Sequence, residues 1–128
     1  MVFLKKYLTN LRGSAAIEFA FILPVFLLFI FGIIELGYVL WGDSSLKYGA
    51  TYGARYAFVH PTSSAQTIQN FALSTTAFSA GGPLSYKVTI VPNVSADVDG
   101  TFTYTFLMLP LNPITINVHV HQVLPVSS

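Results

Sequence analysis

The chain has 128 residues, 53% of them hydrophobic and only 9% charged, with a net charge of +1 and no cysteine. An ordinary soluble domain is about 25% charged, so part of this chain is written for an apolar medium, leaving at most one small domain outside it. The balance argues against a nucleic-acid partner, since no basic field exists to hold phosphates, and the lack of cysteine excludes disulfides, zinc–thiolate sites and thiol chemistry.

The first segment is a short basic leader, with Lys5, Lys6 and Arg12, that ends at Gly13. Small residues follow, Ser14-Ala15-Ala16, and then Ile17-Glu18-Phe19 opens a long apolar run. Residues 19–34 carry no charge, and residues 15–40 carry only Glu18 and Glu35. A bilayer core of about 30 Å needs about 20 helical residues, so this run predicts a transmembrane helix over residues 14–41. Pro24 is its sole breaker and is expected to kink the helix rather than end it. A carboxylate at the centre of such a helix costs about 2.5–3.5 kcal/mol. Near an end the cost falls, and the helix N-terminal dipole offsets part of it for Glu18.

Basic residues lead on the N-terminal flank, while the far flank mixes Asp43 with Lys47 and Arg55. The positive-inside rule therefore predicts a cytoplasmic N-terminus and an exported C-terminal part, with Tyr38 and Trp41 in the outer aromatic belt. A secretory signal peptide is a poorer description. Its apolar core is 7–15 residues long, and no A-x-A site follows here.

The helical pattern continues over residues 42–60. Gly49, Gly53 and Ala57 recur every fourth position beside a stripe of Tyr48, Tyr52 and Tyr56, and residues four apart share a helix face. The tyrosine stripe is expected to cover the sheet of the outer domain. His60-Pro61 ends the helix. A second helix is predicted over residues 65–78, with Ile68, Phe71, Ala72 and Phe78 as its apolar positions, broken by Gly81-Gly82-Pro83. Period-two alternation follows: Tyr86, Val88 and Ile90; Phe102, Tyr104 and Phe106; Ile114, Ile116, Val118 and Val120. These are half-buried antiparallel strands, joined by loops at residues 92–100 and 108–113 into a three-stranded meander. The predicted class is α+β: one long N-terminal helix, a short helix and a C-terminal sheet, with residues 61–128 as the exported domain.

No nucleophile–base pair, carboxylate dyad or phosphate-cradling loop stands out, and no cofactor is implied. His119 and His121 share a strand face, but two exposed histidines with only Asp97 and Asp99 nearby are a weak metal signal. The chain is read as a structural protein, not an enzyme.

The segment of residues 12–59 resembles the TadE-like proteins, minor pseudopilins of the tight-adherence (Flp-type IVb) pilus system. The resemblance lies in Arg12-Gly13, Ala15-Ala16-Ile17-Glu18-Phe19-Ala20, Leu23-Pro24, Phe31-Gly32-Ile33-Ile34-Glu35-Leu36-Gly37, and the stretch through Gly53-Ala54-Arg55. It implies cleavage after Gly13 by a prepilin-type aspartic peptidase, so that the mature chain begins at Ser14 with Glu18 as its fifth residue. It further implies that Glu18 meets the N-terminal amine of a neighbouring subunit. Glu35, about 25 Å further along the helix, is either a second pairing position or a carboxylate that emerges at the outer interface. Pro24, Gly49 and Gly53 are read as helix-packing positions, the Gly49-x-x-x-Gly53 spacing being one that allows close helix contact but is also common by chance. The implied partners are other pilin or pseudopilin subunits, an inner-membrane assembly platform and the lipid bilayer itself. Phe19 stands where related major pilins often carry tyrosine. Two other classes remain open: an unprocessed, single-pass anchored interaction protein, and a domain secreted by ordinary signal cleavage.

Overall fold

The computed structural model describes residues 10–76 and 83–125. One helix, α1, runs over Asn10–Val59, 50 residues or about 75 Å at 1.5 Å per residue. It begins ahead of Ser14, so Gly13 is already helical. It ends at Val59 because His60 precedes Pro61 and is pushed out of the helical region. Pro24 lies inside it, where its missing N–H leaves the Ala20 carbonyl without a helical donor.

The second helix, α2, spans Ala65–Thr75. Its N-terminus is capped by Ser64, whose Oγ accepts the Thr67 N–H at 3.2 Å and so satisfies one of the orphan donors of the first turn. The helix is shorter than its sequence pattern predicts, since Thr76 is already extended. Phe78, Gly81 and Gly82 lie outside the described residues. Ile68 and Ala72 face inward as expected, and Phe71 stacks on Tyr56 with ring centroids 4.4 Å apart.

Three strands complete the fold: β1 (Leu84–Val91), β2 (Ser95–Tyr104) and β3 (Ile114–Val123). They form one antiparallel sheet in the order β1-β2-β3. The second strand starts at Ser95, where the alternation predicts loop up to residue 100. Two aspartates and a glycine read as turn formers there, yet Asp97 and Asp99 point away from the core while Ala96, Val98 and Gly100 are buried. The actual turn is tight. Val94 N–H bonds the Val91 carbonyl at 3.0 Å, Pro92 sets one corner, and Asn93 takes the left-handed conformation (φ 59°) that asparagine tolerates. Phe106 falls past the end of β2 but still packs at the core margin.

The sheet is covered by the small-residue face of α1, not by its tyrosines. Leu46, Ala50, Ala54 and Ala57 are fully buried, and Gly42, Gly49 and Gly53 lie on the same face. Tyr48 and Tyr52 remain half exposed, and Tyr56 stacks on Phe71 and His60 at the margin. The reason is steric. The sheet supplies the bulk, Phe102, Tyr86 and Tyr104, so the helix must present a flat surface. A Cβ on Gly42 would stand 2.5 Å from the Phe102 ring, and one on Gly49 would collide with the Tyr86 hydroxyl. On Gly53 it would meet the Ala72 methyl of α2 at 3.0 Å. Through the gap at Gly49 the Tyr86 hydroxyl reaches the Leu46 carbonyl at 3.1 Å and Thr76 Oγ1 at 2.8 Å, tying α1, β1 and the end of α2 together.

Gly49→Ala is therefore expected to destabilise the sheet domain by about 1–3 kcal/mol through overpacking. Gly37→Ala, where a Cβ meets nothing within 4 Å, should be neutral or gain up to about 1 kcal/mol of helix propensity. Urea unfolding in detergent, followed by tyrosine near-ultraviolet dichroism, separates the two.

Candidate functional site

Among the described residues none covers the lower part of α1. Every residue from Gly13 to Ile30 is exposed, including Phe21 at 77% and Phe29 at 67%. It is one helix long and apolar enough to cross a membrane. A helix apolar all round belongs in lipid or among other helices. Within this surface Glu18 is the sole carboxylate, and Ser14 Oγ donates to its Oε1 at 3.4 Å from one turn below. A Cβ on Gly13 would meet nothing within 4 Å. Lys5 and Lys6 lie outside the described residues.

Glu35 has a different environment. It is 3% exposed, and its Oε1 accepts two backbone N–H groups, from Leu107 and Met108, each at 2.7 Å. Its Oε2 is buried and has no hydrogen-bond partner. A carboxylate that accepts two amide protons makes charge-assisted bonds about twice as strong as neutral ones. Glu35 thus fastens the loop after β2 to the helix at the point where α1 emerges from under the domain. Tyr104 lies close by, edge-on to Phe106 at 5.2 Å. Burial pushes its hydroxyl pKa above the ordinary value, and the nearby Glu35 and Tyr38 push the same way.

The two glutamates are therefore not equivalent. Glu18 faces outward, with Ser14 as its hydrogen-bond partner, while Glu35 is engaged by its own chain. The sequence predicts a loop over residues 108–113 but not its hold on Glu35 through Leu107 and Met108. Its signal was the apolar run Phe106-Leu107-Met108-Leu109 continuing past the end of the strand, with Pro110 and Leu111 behind it. Gly49 and Gly53, read as helix-packing positions, lie against Tyr86, Thr76 and Ala72 of the same chain. The tyrosines of α1 line two shallow surface grooves, one with Trp41 and Thr75, the other with Arg55, Val59 and Phe71.

On the outer face of the sheet, cross-strand partners form a polar ladder. Asp97 pairs with His121 and Asp99 with His119, each at 2.6 Å, followed by Thr101 with Asn117 and Thr103 with Thr115. His119 Nε2 also lies 3.8 Å from Asp97. Among the described residues no group of three or more His, Cys, Asp or Glu is arranged to hold a metal ion. The hydrogen bond to Asp99 holds the His119 imidazole above its usual pKa, with the charges of Asp99 and Asp97 acting the same way against an opposing desolvation.

Gly13, Glu18, Pro24, Glu35, Gly49 and Gly53 all fall within one continuous stretch of α1. Residues 13–55 match the model of the TadE-like protein family. No curated protein and no solved structure matches the chain. The TadE-like stretch thus comprises the uncovered apolar half of α1 and most of the half that packs under the sheet, whereas α2 and the three strands lie beyond it.

Glu35→Ala is expected to release the loop: hydrogen exchange at the Leu107 and Met108 amides should accelerate, with a loss of about 1–3 kcal/mol for the two donors left unpaired. Glu35→Gln, which keeps an acceptor oxygen, should retain part of that protection. For His119 the sign follows from a raised folded-state pKa. Its contribution to stability is complete below the unfolded value of about 6.5 and fades as pH rises through the folded value. Unfolding midpoints across this range should show that dependence in the native chain and lose it in His119→Gln.

Proposed function

We propose that this chain is a structural, pseudopilin-type subunit of a tight-adherence pilus system, cut after Gly13 and packed through the free half of α1. The observation that carries the reading is the TadE-like match on a helix whose residues 13–30 are almost entirely apolar and, among the described residues, all exposed. Lipid and a helix bundle are both apolar, so moving such a helix from one to the other changes the hydrophobic term little. Close packing and buried polar pairs then decide the outcome. Cleavage after Gly13 creates an amine at Ser14, and an amine with a carboxylate taken out of water offset each other's desolvation. Glu18 of a neighbouring subunit supplies that carboxylate.

The Gly13–Ser14 bond is helical, so a membrane aspartic peptidase must unwind the first turn to reach it. Glycine eases this, being about 1 kcal/mol weaker than alanine in a helix. The basic leader stays on the cytoplasmic side and the sheet domain is exported. The other partners are neighbouring pilin or pseudopilin subunits and the membrane platform that assembles them. The helical state of the Gly13–Ser14 bond favours one alternative, an unprocessed single-pass protein whose outer domain docks a partner.

Intact mass and N-terminal sequencing of the chain recovered from its native membrane distinguish these readings. The proposal expects a chain that starts at Ser14, and Gly13→Ala retained at full length. It also expects Glu18→Gln to be processed normally but lost from assembled pili. A native chain that keeps residues 1–13 overturns it in favour of the anchored protein.

A further inference from the structure

We propose that the loop of residues 105–111 is a second membrane contact, lying in the outer leaflet against the exposed side of α1. This rests on α1 being the membrane anchor. Leu107 is 81% exposed, Met108 62% and Leu111 56%, an apolar cluster at the end of the domain nearest the apolar helix. Its depth is set by two contacts. Glu35 holds the Leu107 and Met108 amides, and Leu109 Cδ1 lies 3.8 Å from where a Gly32 Cβ would stand. Gly32 is three residues below Glu35, about 4.5 Å down the helix, within the charge-free run of residues 19–34. The loop therefore descends alongside the segment that lipid surrounds.

Irregular backbone at such depth must satisfy its polar groups within the protein, and this loop does so for three of its N–H groups. Here Glu35 takes two N–H groups, Leu111 N–H bonds the Leu109 carbonyl at 2.8 Å, and Pro110 has no N–H to satisfy. The charges of the domain agree with this orientation. No Asp, Glu, Lys or Arg occurs in residues 100–118. The sheet end that carries the loop pairs Tyr104 with Ile114, whereas Lys87, Asp97, Asp99, His119 and His121 pair toward the other end. Lipid is the occupant that fits, because the exposed large side chains of the loop and of the neighbouring helix segment are apolar and residues 100–118 carry no charge to match on a protein partner.

The test uses the full chain in vesicles of phosphatidylcholine and phosphatidylglycerol. Since the chain has no cysteine, nitroxide labels are placed singly by Leu107→Cys, Met108→Cys and Leu111→Cys. Val94→Cys, at the far turn, and Ile22→Cys, within the span, are the references. Collision rates with oxygen and with a water-soluble nickel chelate are compared. The proposal expects oxygen-to-nickel ratios at the three loop positions several-fold above that of Val94→Cys and close to that of Ile22→Cys. Loop ratios like that of Val94→Cys, with Ile22→Cys still lipid-like, overturn the loop contact alone. A water-like Ile22→Cys overturns the anchor as well.

Discussion

The close approach of α1 to the sheet is the constraint on which the rest of this structure depends. A three-stranded sheet and an eleven-residue helix offer little core, and with no cysteine no cross-link supplements it. The chain makes up the difference by driving large aromatic residues from β1 and β2 against a helix face made mostly of glycine and alanine around Leu46. Burial of side chains such as Phe102 and Leu46 contributes about 1.5–3 kcal/mol each, but only because the helix backbone lies near enough to close over them. The same thinness exposes the Leu46 carbonyl to the Tyr86 hydroxyl, so the packing face also carries a polar tie between elements.

Glu35 performs a comparable task about two turns below the packed face. A buried carboxylate is costly unless it is bonded, and the two amides it accepts are in a segment that has no strand partner of its own. Each side solves the other's problem: the loop gives the charge its donors, and the charge gives the loop its conformation. Glu18, about 4.7 turns away by the 3.6-residue period, has no such partner among the described residues of the domain. Two carboxylates in one apolar run thus have separate physics.

The long helix, its end at Val59, the short helix and the meander were all legible, because periodicity and the His60-Pro61 junction are local signals. What the sequence concealed was which face turns inward. Tyrosine has the larger apolar surface, so a stripe of Tyr48, Tyr52 and Tyr56 looks like core, but burial goes to the face whose shape fits its partner, and that is decided by Phe102 and Tyr86 elsewhere in the chain. The start of β2 was hidden similarly. Asp97, Asp99 and Gly100 read as a turn until the histidines opposite and the Leu46 side chain beneath supply reasons for each. Glu35 was recognisable as unusual, but its donors, more than seventy residues on at Leu107 and Met108, belong to a tertiary contact that no window reveals.

One consequence concerns aim. The upper part of α1 is built into the core and the lower part is the same unbroken helix, so the sheet domain has no wrist on which to turn. Pro24, the sole proline in the helix, lies well below the first packed residues. Whatever sets the slant of the segment above Pro24 therefore also steers the face bearing the histidine–aspartate ladder, as a handle steers a blade.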